Sequence, residues 1–183
     1  MAFRNLANLL TSLRLAATVP LVVFVLEGDF LTAFWVFLLA GVTDIADGLV
    51  AKWVNGRTSL GAILDPLADK LFLGALFVTL VVIGAAPAWL AVIVVGRDLL
   101  IAAGAFLLRL RLRGFRVEPL VIGKICTFVQ LVYGGVVLGR LAGIAVPGWW
   151  EVGLLYAVAL MVIASALAYL GAALRYRPFA EAR

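Results

Sequence analysis

The chain has 183 residues, 66% of them hydrophobic, with a mean hydropathy of +1.18. A soluble globular domain is nearer ~45–50% apolar, so the composition excludes a water-soluble fold and indicates a polytopic membrane protein, one domain of about six spans. The net charge of +5 comes from basic residues beside hydrophobic segments, with no histidine and one cysteine in the chain. That pattern suits membrane topology and anionic lipid, not nucleic acid. It also removes Ser–His catalysis, His-ligated zinc and any internal disulfide.

Residues 1–7, MAFRNLA, read as the start of a short interfacial helix. The first span is expected from Asn8 to Leu26, with Asn8, Thr11 and Arg14 on one face. Arg14 lies inside this apolar run, so it does not read as a cleavable signal peptide. A charge one turn into a membrane helix needs an anion or must snorkel. Glu27, Gly28 and Asp29 form a turn, followed by a second span from Phe30 to Lys52 and a third from Leu60 to Ile83. After the uncharged turn GAAPAW, the fourth span runs from Leu90 to Leu108, the fifth from Val121 to Leu141 and the sixth from Trp149 to Leu170. A polar tail occupies 171–183. Cys126, inside an apolar run, reads as a small packing residue.

Charge sets the orientation. Arg57, Arg109, Arg111, Arg113, Arg116, Arg175, Arg177 and Arg183 fall on one side; Glu27, Asp29 and Glu151 fall on the other, with Arg140 the exception. The positive-inside rule then places both termini in the cytoplasm. The expected architecture is an all-α, six-transmembrane-helix bundle in a bacterial inner membrane. Trp89, Trp149 and Trp150 would form the outer aromatic belt.

The stretch from Asp44 to Lys70 carries four aspartates, at 44, 47, 65 and 69, between strongly apolar flanks. Carboxylates in such a setting need a compensating partner, and a divalent cation is one. At about 100° per residue, Asp44, Asp47, Gly48, Ala51 and Lys52 fall within roughly 140° of one helix face. Gly61, Asp65 and Asp69 repeat every four residues on the next helix. With a turn at VNGRTS, the two helices would pack antiparallel and bring the carboxylates together near the cytoplasmic face. Oxygen donors without thiolate or imidazole suit Mg²⁺ or Mn²⁺, and the charge suits two ions. The small residues at 48, 51 and 61 leave room for a bulky anion, while Lys52 and Arg57 supply charge for phosphate oxygens. Helix capping or pairing with Lys52, Arg57 and Lys70 accounts for any one aspartate, but poorly for all four at this phase.

These residues also carry a resemblance. Asp44, Asp47, Gly48, Ala51, Gly61, Asp65 and Asp69 stand in register with D-x2-D-G-x2-A-R-x8-G-x3-D-x3-D, the pattern of the CDP-alcohol phosphotransferases. Lys52 stands where the family usually has Arg, keeping the charge without the planar fork. The resemblance covers about residues 5–135. It implies transfer of a phosphatidyl group from CDP-diacylglycerol to an alcohol, with release of CMP. It assigns the cations to Asp44, Asp47, Asp65 and Asp69, with Asp44 and Asp65 bridging, and makes Asp69 the proton acceptor. Asn8 and Thr11 read either as helix-capping residues or, by the resemblance, as part of an N-x2-T-x2-R element that lines the family's nucleotide pocket. Gly48, Ala51, Lys52, Thr58 and Gly61 complete the expected CDP-diacylglycerol site. The family's members are often homodimers.

For the acceptor, an intramembrane Arg97–Asp98 pair reads either as a mutual charge pair or as part of a phosphate site. The run RLRLRGFR at 109–116 reads first as a topology signal. The R-[DE] pair and the K-x2-T-x2-Q segment at Lys124 are similar to those of cardiolipin and phosphatidylglycerophosphate synthases. Arg97, Lys124 and Arg116 are therefore the candidates for the acceptor's phosphate. The stretches around the aspartates, RDLLIAAGAFLLRLR and IGKICTFVQL most resemble eukaryotic-type cardiolipin synthases, which implies phosphatidylglycerol as acceptor. Glycerol 3-phosphate is the alternative. A divalent-cation or proton-coupled transporter is a third reading; carboxylates near one face, beside Gly and Ala, favour a bulky ligand over a bare ion.

Overall fold

The computed structural model describes the backbone of residues 2–54, 61–111 and 120–175, and the side chains of 14–43, 68–107 and 120–172. The described residues form six helices: α1 (Ala2–Glu27), α2 (Phe30–Val54), α3 (Gly61–Val82), α4 (Ala88–Arg111), α5 (Val121–Leu141) and α6 (Gly148–Arg175). Their limits lie close to the expected spans. α1 runs unbroken through the boundary expected at residues 7 and 8. Among the described residues, three stretches are long and apolar enough to cross a membrane: Ala88–Leu107, Val121–Leu141 and Gly148–Ala172.

The turns are built where the sequence marks them. Gly28 adopts a φ of +81, a left-handed conformation open mainly to glycine. It lets the amide of Asp29 reach the carbonyl of Phe24 at 2.9 Å, closing α1. Asp29 then caps α2 by accepting from the amide of Thr32 at 3.2 Å. Gly84 makes the corresponding turn after α3, at a φ of +72.

Side chains fix the helix directions. Phe37 stacks on Phe72 with centroids 5.9 Å apart, while Ala40, Gly41 and Asp69 line one pocket, so α2 and α3 run antiparallel. On α5, a Cβ at Gly134 would come within 2.7 Å of Leu76, and Tyr133 stacks on Phe77 at 5.8 Å; with Thr127 beside Asp69 in the pocket, α5 runs parallel to α3. Helices α1 and α5 each pack on both α2 and α3, α4 packs on α3 and α6, and α5 packs on α6. The core runs through the middle of this arrangement, with Leu21, Leu76, Phe77, Leu80, Leu90, Tyr133 and Val158 fully buried.

The exterior is apolar too. Val19, Val82, Val92, Leu100, Leu160 and Leu167 all stand exposed, a surface suited to lipid tails. Hydroxyls within the helices turn back on their own backbones: Thr18 donates to the carbonyl of Arg14, Thr79 to that of Ala75 and Thr127 to that of Gly123. Trp89, Trp149 and Trp150 are exposed at the starts of α4 and α6. Arg140, the exception in the charge pattern, forms a two-point ion pair with Glu151 through Nε at 2.6 Å and Nη2 at 3.2 Å, which offsets its charge. Cys126 is buried and free.

Candidate active site

Four helices converge on Asp69. Its pocket is lined by Arg14 of α1, Ala40 and Gly41 of α2, Asp69, Phe72 and Leu73 of α3, and Thr127 and Leu131 of α5. Arg14 is only 8% exposed, and its Nη1 donates to the Asp69 carboxylate. The anion that a charge at position 14 requires is thus supplied from within the bundle. Small residues at 40 and 41 leave the pocket open on the α2 side.

The packing register extends this pocket. Phe37 meets Phe72, and one turn on, Ala40 and Gly41 face Asp69. Both helices continue for another turn and more. The same antiparallel register therefore sets positions 44 and 65 opposite one another, about 5.4 Å further along the axes. Helix α5 pairs 134 with 76 and 127 with 69. Its position 123 falls at that same level, next to Lys124. The side chains of Asn8, Thr11, Asp44, Asp47, Gly48, Ala51, Lys52, Gly61 and Asp65 lie outside the described residues, as do Thr58 and Arg116 altogether. Among the described residues, no three acidic, cysteine or histidine side chains gather as a metal cluster, and Asp69 is the one expected ligand present.

A second polar cluster adjoins the first. Lys70, next to Asp69, donates to Asp98 at 3.3 Å, and Arg97 Nη1 donates to the same carboxylate oxygen at 2.5 Å. Arg97 Nη2 donates to Ser165 of α6. The guanidinium carbon lies 5.7 Å from the ring centroid of Tyr169, within cation–π range. Arg97 is thus 6% exposed and heavily engaged, not an open cation. The mutual Arg97–Asp98 pair anticipated from the sequence is present, with Lys70 as its third member. Lys124 is exposed and makes no hydrogen bond or ion pair among the described residues. It sits one residue from Gly123, where a Cβ would lie 3.4 Å from Arg97 Nη2. Arg97 thus packs against the turn of α5 that carries Lys124. Ser165 and Tyr169 lie in the sixth span, beyond the residues that the resemblance covers, and nothing in the motifs points to them. Their only signal is a pair of hydroxyls four residues apart in an apolar helix, a spacing that shares one face.

Comparison with known proteins identifies the family. The family described as CDP-alcohol phosphatidyltransferase matches residues 4–170. Human cardiolipin synthase (CMP-forming) is 34% identical over 144 residues, covering 70% of this chain and 48% of the relative. The rat protein of the same name gives the same values. The CDP-diacylglycerol–glycerol-3-phosphate 3-phosphatidyltransferase of Aquifex aeolicus is 37% identical over 131 residues, covering 69% of this chain and 72% of the relative. The chain spans about half the length of the mammalian relatives it matches. The family match runs from the first helix to the last and takes in Arg14, Asp69, Arg97, Lys124 and Tyr169, so the chain belongs to the CDP-alcohol phosphatidyltransferase family.

Proposed function

We propose that the protein transfers the phosphatidyl group of CDP-diacylglycerol to phosphatidylglycerol, giving cardiolipin and CMP. One observation carries the site: α1, α2, α3 and α5 converge on Asp69 at a register that sets positions 44 and 65 opposite each other one turn away. The mammalian cardiolipin synthases among its relatives favour this acceptor. The Aquifex relative, matched over most of its length, favours glycerol 3-phosphate about equally.

In the proposed reaction, the acceptor hydroxyl attacks the β-phosphorus of CDP-diacylglycerol. The bond from that phosphorus to the bridging oxygen breaks, and CMP leaves with the oxygen. Asp69 takes the hydroxyl proton, and Arg14 fixes the direction of its carboxylate. Gly48, Lys52 and Thr58 would hold the diphosphate, Asn8, Thr11, Ala51 and Gly61 would line the nucleotide pocket, and Lys124 and Arg116 would receive the acceptor's phosphate, with the enclosed guanidinium of Arg97 contributing positive charge from behind them. The all-oxygen donors Asp44, Asp47, Asp65 and Asp69 suit two Mg²⁺ or Mn²⁺ ions. When bound, such ions neutralise the diphosphate and the departing CMP. We further propose that both termini and the aspartate level face the cytoplasm of a bacterial inner membrane, with a homodimer as the working unit. The arginine distribution supports that orientation.

The test is a paired assay on purified protein in lipid nanodiscs, with CDP-diacylglycerol, Mg²⁺ or Mn²⁺, and either phosphatidylglycerol or glycerol 3-phosphate. Cardiolipin and CMP formed from phosphatidylglycerol alone, and abolished by EDTA, are expected. Product from glycerol 3-phosphate alone replaces the acceptor. No metal-dependent CMP release with either acceptor overturns the reading.

A further inference from the structure

Tyr169 touches two separate elements at once. Its hydroxyl oxygen accepts the amide of Leu120 at 3.2 Å, and its ring lies against the guanidinium of Arg97. Leu120 is the residue at which α5 begins, in extended backbone, and no side chain from α5 itself caps that end. The ring fits because residue 123 is glycine. A Cβ there would stand 3.0 Å from the Tyr169 hydroxyl oxygen and 3.3 Å from Cε2. Ser165, one turn before Tyr169 on the same face of α6, receives Arg97 Nη2. The next residue after Gly123 is Lys124, which is exposed. One aromatic side chain thus joins the first turn of α5, which carries Lys124, to the buried cation of α4.

We infer that Tyr169 is a positioning residue for the acceptor's phosphate, holding Lys124 and Arg97 at a fixed separation by tying the start of α5 to the Arg97 guanidinium. This rests on the reading of Lys124 and Arg97 as the acceptor-phosphate cations. Helix starts fray when their amides are unpartnered. Without the tyrosine, the turn bearing Lys124 loses its anchor while Asp69, Arg14 and the α2–α3 register stay as they are. The consequence belongs to acceptor binding and not to the transfer step or the nucleotide.

The experiment measures initial CMP release by the full chain in nanodiscs, with CDP-diacylglycerol and Mn²⁺, varying whichever of phosphatidylglycerol or glycerol 3-phosphate supports turnover. Tyr169→Phe keeps the ring and loses the amide acceptor; a rise of roughly threefold to tenfold in acceptor KM is expected, at unchanged kcat and unchanged KM for CDP-diacylglycerol. Tyr169→Leu also removes the cation–π contact and is expected to exceed tenfold. Gly123→Ala, which displaces the ring without removing it, is expected to give the same split. Lys124→Gln is the control. If its acceptor KM does not rise, the acceptor-site reading fails and the proposal with it. If it rises while the Tyr169 and Gly123 variants keep the wild-type value, the proposal alone fails. A fall in kcat at constant acceptor KM in those variants also overturns it, because a merely structural contribution gives that result. Should Tyr169→Leu not fold, Tyr169→Phe and Gly123→Ala decide.

Discussion

Arg14 on α1 pairs with Asp69 on α3, while the very next residue, Lys70, is held by Asp98 of α4 at 3.3 Å. Consecutive residues of one helix are therefore gripped by opposite charges from α1 and α4, which do not pack on each other among the described residues. Neighbouring positions on a helix point about 100° apart, so the two pairs together resist rotation of α3 about its axis. That rotation sets where Asp69, and a turn earlier position 65, present themselves.

Breaking the first pair has a definite signature. Arg14→Met leaves the Asp69 carboxylate, 35% exposed, without this partner. A loss of about 2 kcal/mol in stability is expected, less than for a fully buried pair. The exchange Arg14→Asp with Asp69→Arg is expected to recover much of the thermal midpoint in detergent and none of the CMP release, because the proton-accepting oxygen no longer stands on α3. Recovery of turnover in the exchange variant would take Asp69 out of the chemistry.

Asp98→Asn removes the anion shared by Lys70 and Arg97. Arg97 is nearly buried, and its Nε has no hydrogen-bond partner among the described residues. An uncompensated guanidinium in that position costs about 1–3 kcal/mol. The expected result is a lower thermal midpoint, and Asp98→Glu should restore part of it. Equal midpoints for wild type and Asp98→Asn would show that the carboxylate is not needed to neutralise Arg97.

Gly134→Ala tests the close approach of α5 to α2 and α3. The added Cβ would stand 2.7 Å from a methyl of Leu76 and 3.5 Å from Phe37. Leu76 is fully buried and has little room to yield. Overpacking of this kind costs about 1–3 kcal/mol, read as a lower midpoint. In a double-mutant cycle with Leu76→Ala, the combined loss should be smaller than the sum of the two single losses, because removing the methyl relieves the clash.

Arg140 and Glu151 provide the contrast. Their pair joins α5 to α6 at the far end of the bundle from Asp69, and Arg140 is 43% exposed. Exposed pairs contribute about 0–1 kcal/mol. Arg140→Gln and Glu151→Gln should each shift the midpoint slightly and leave CMP release at the wild-type rate. A large loss of turnover in either would mean that this end of the bundle communicates with the site.

Much of the architecture was legible in the sequence, because each element depended on local chemistry. Six apolar runs of membrane length, separated by Gly28, Gly84 and charged or proline-containing turns, became six helices with nearly the expected limits. Periodicity alone assigned positions 44 and 47, 65 and 69, and 8, 11 and 14 to helices, and the backbone carries them on α2, α3 and α1. The Arg97–Asp98 pair was visible because its members are adjacent. What tertiary structure decided was which helices meet. Six similarly apolar helices do not reveal their neighbours, since lipid and protein interiors are equally acceptable to Leu, Val and Phe. Only packing showed that the anion facing Arg14 is Asp69, fifty-five positions away. Only packing showed that Arg97 is enclosed by Ser165 and Tyr169, sixty-eight and seventy-two positions on, and not open to solvent. Sequence carried the chemistry because it depends on residue type and period; partnership between distant polar groups depended on the crossing of helices, which periodicity does not encode.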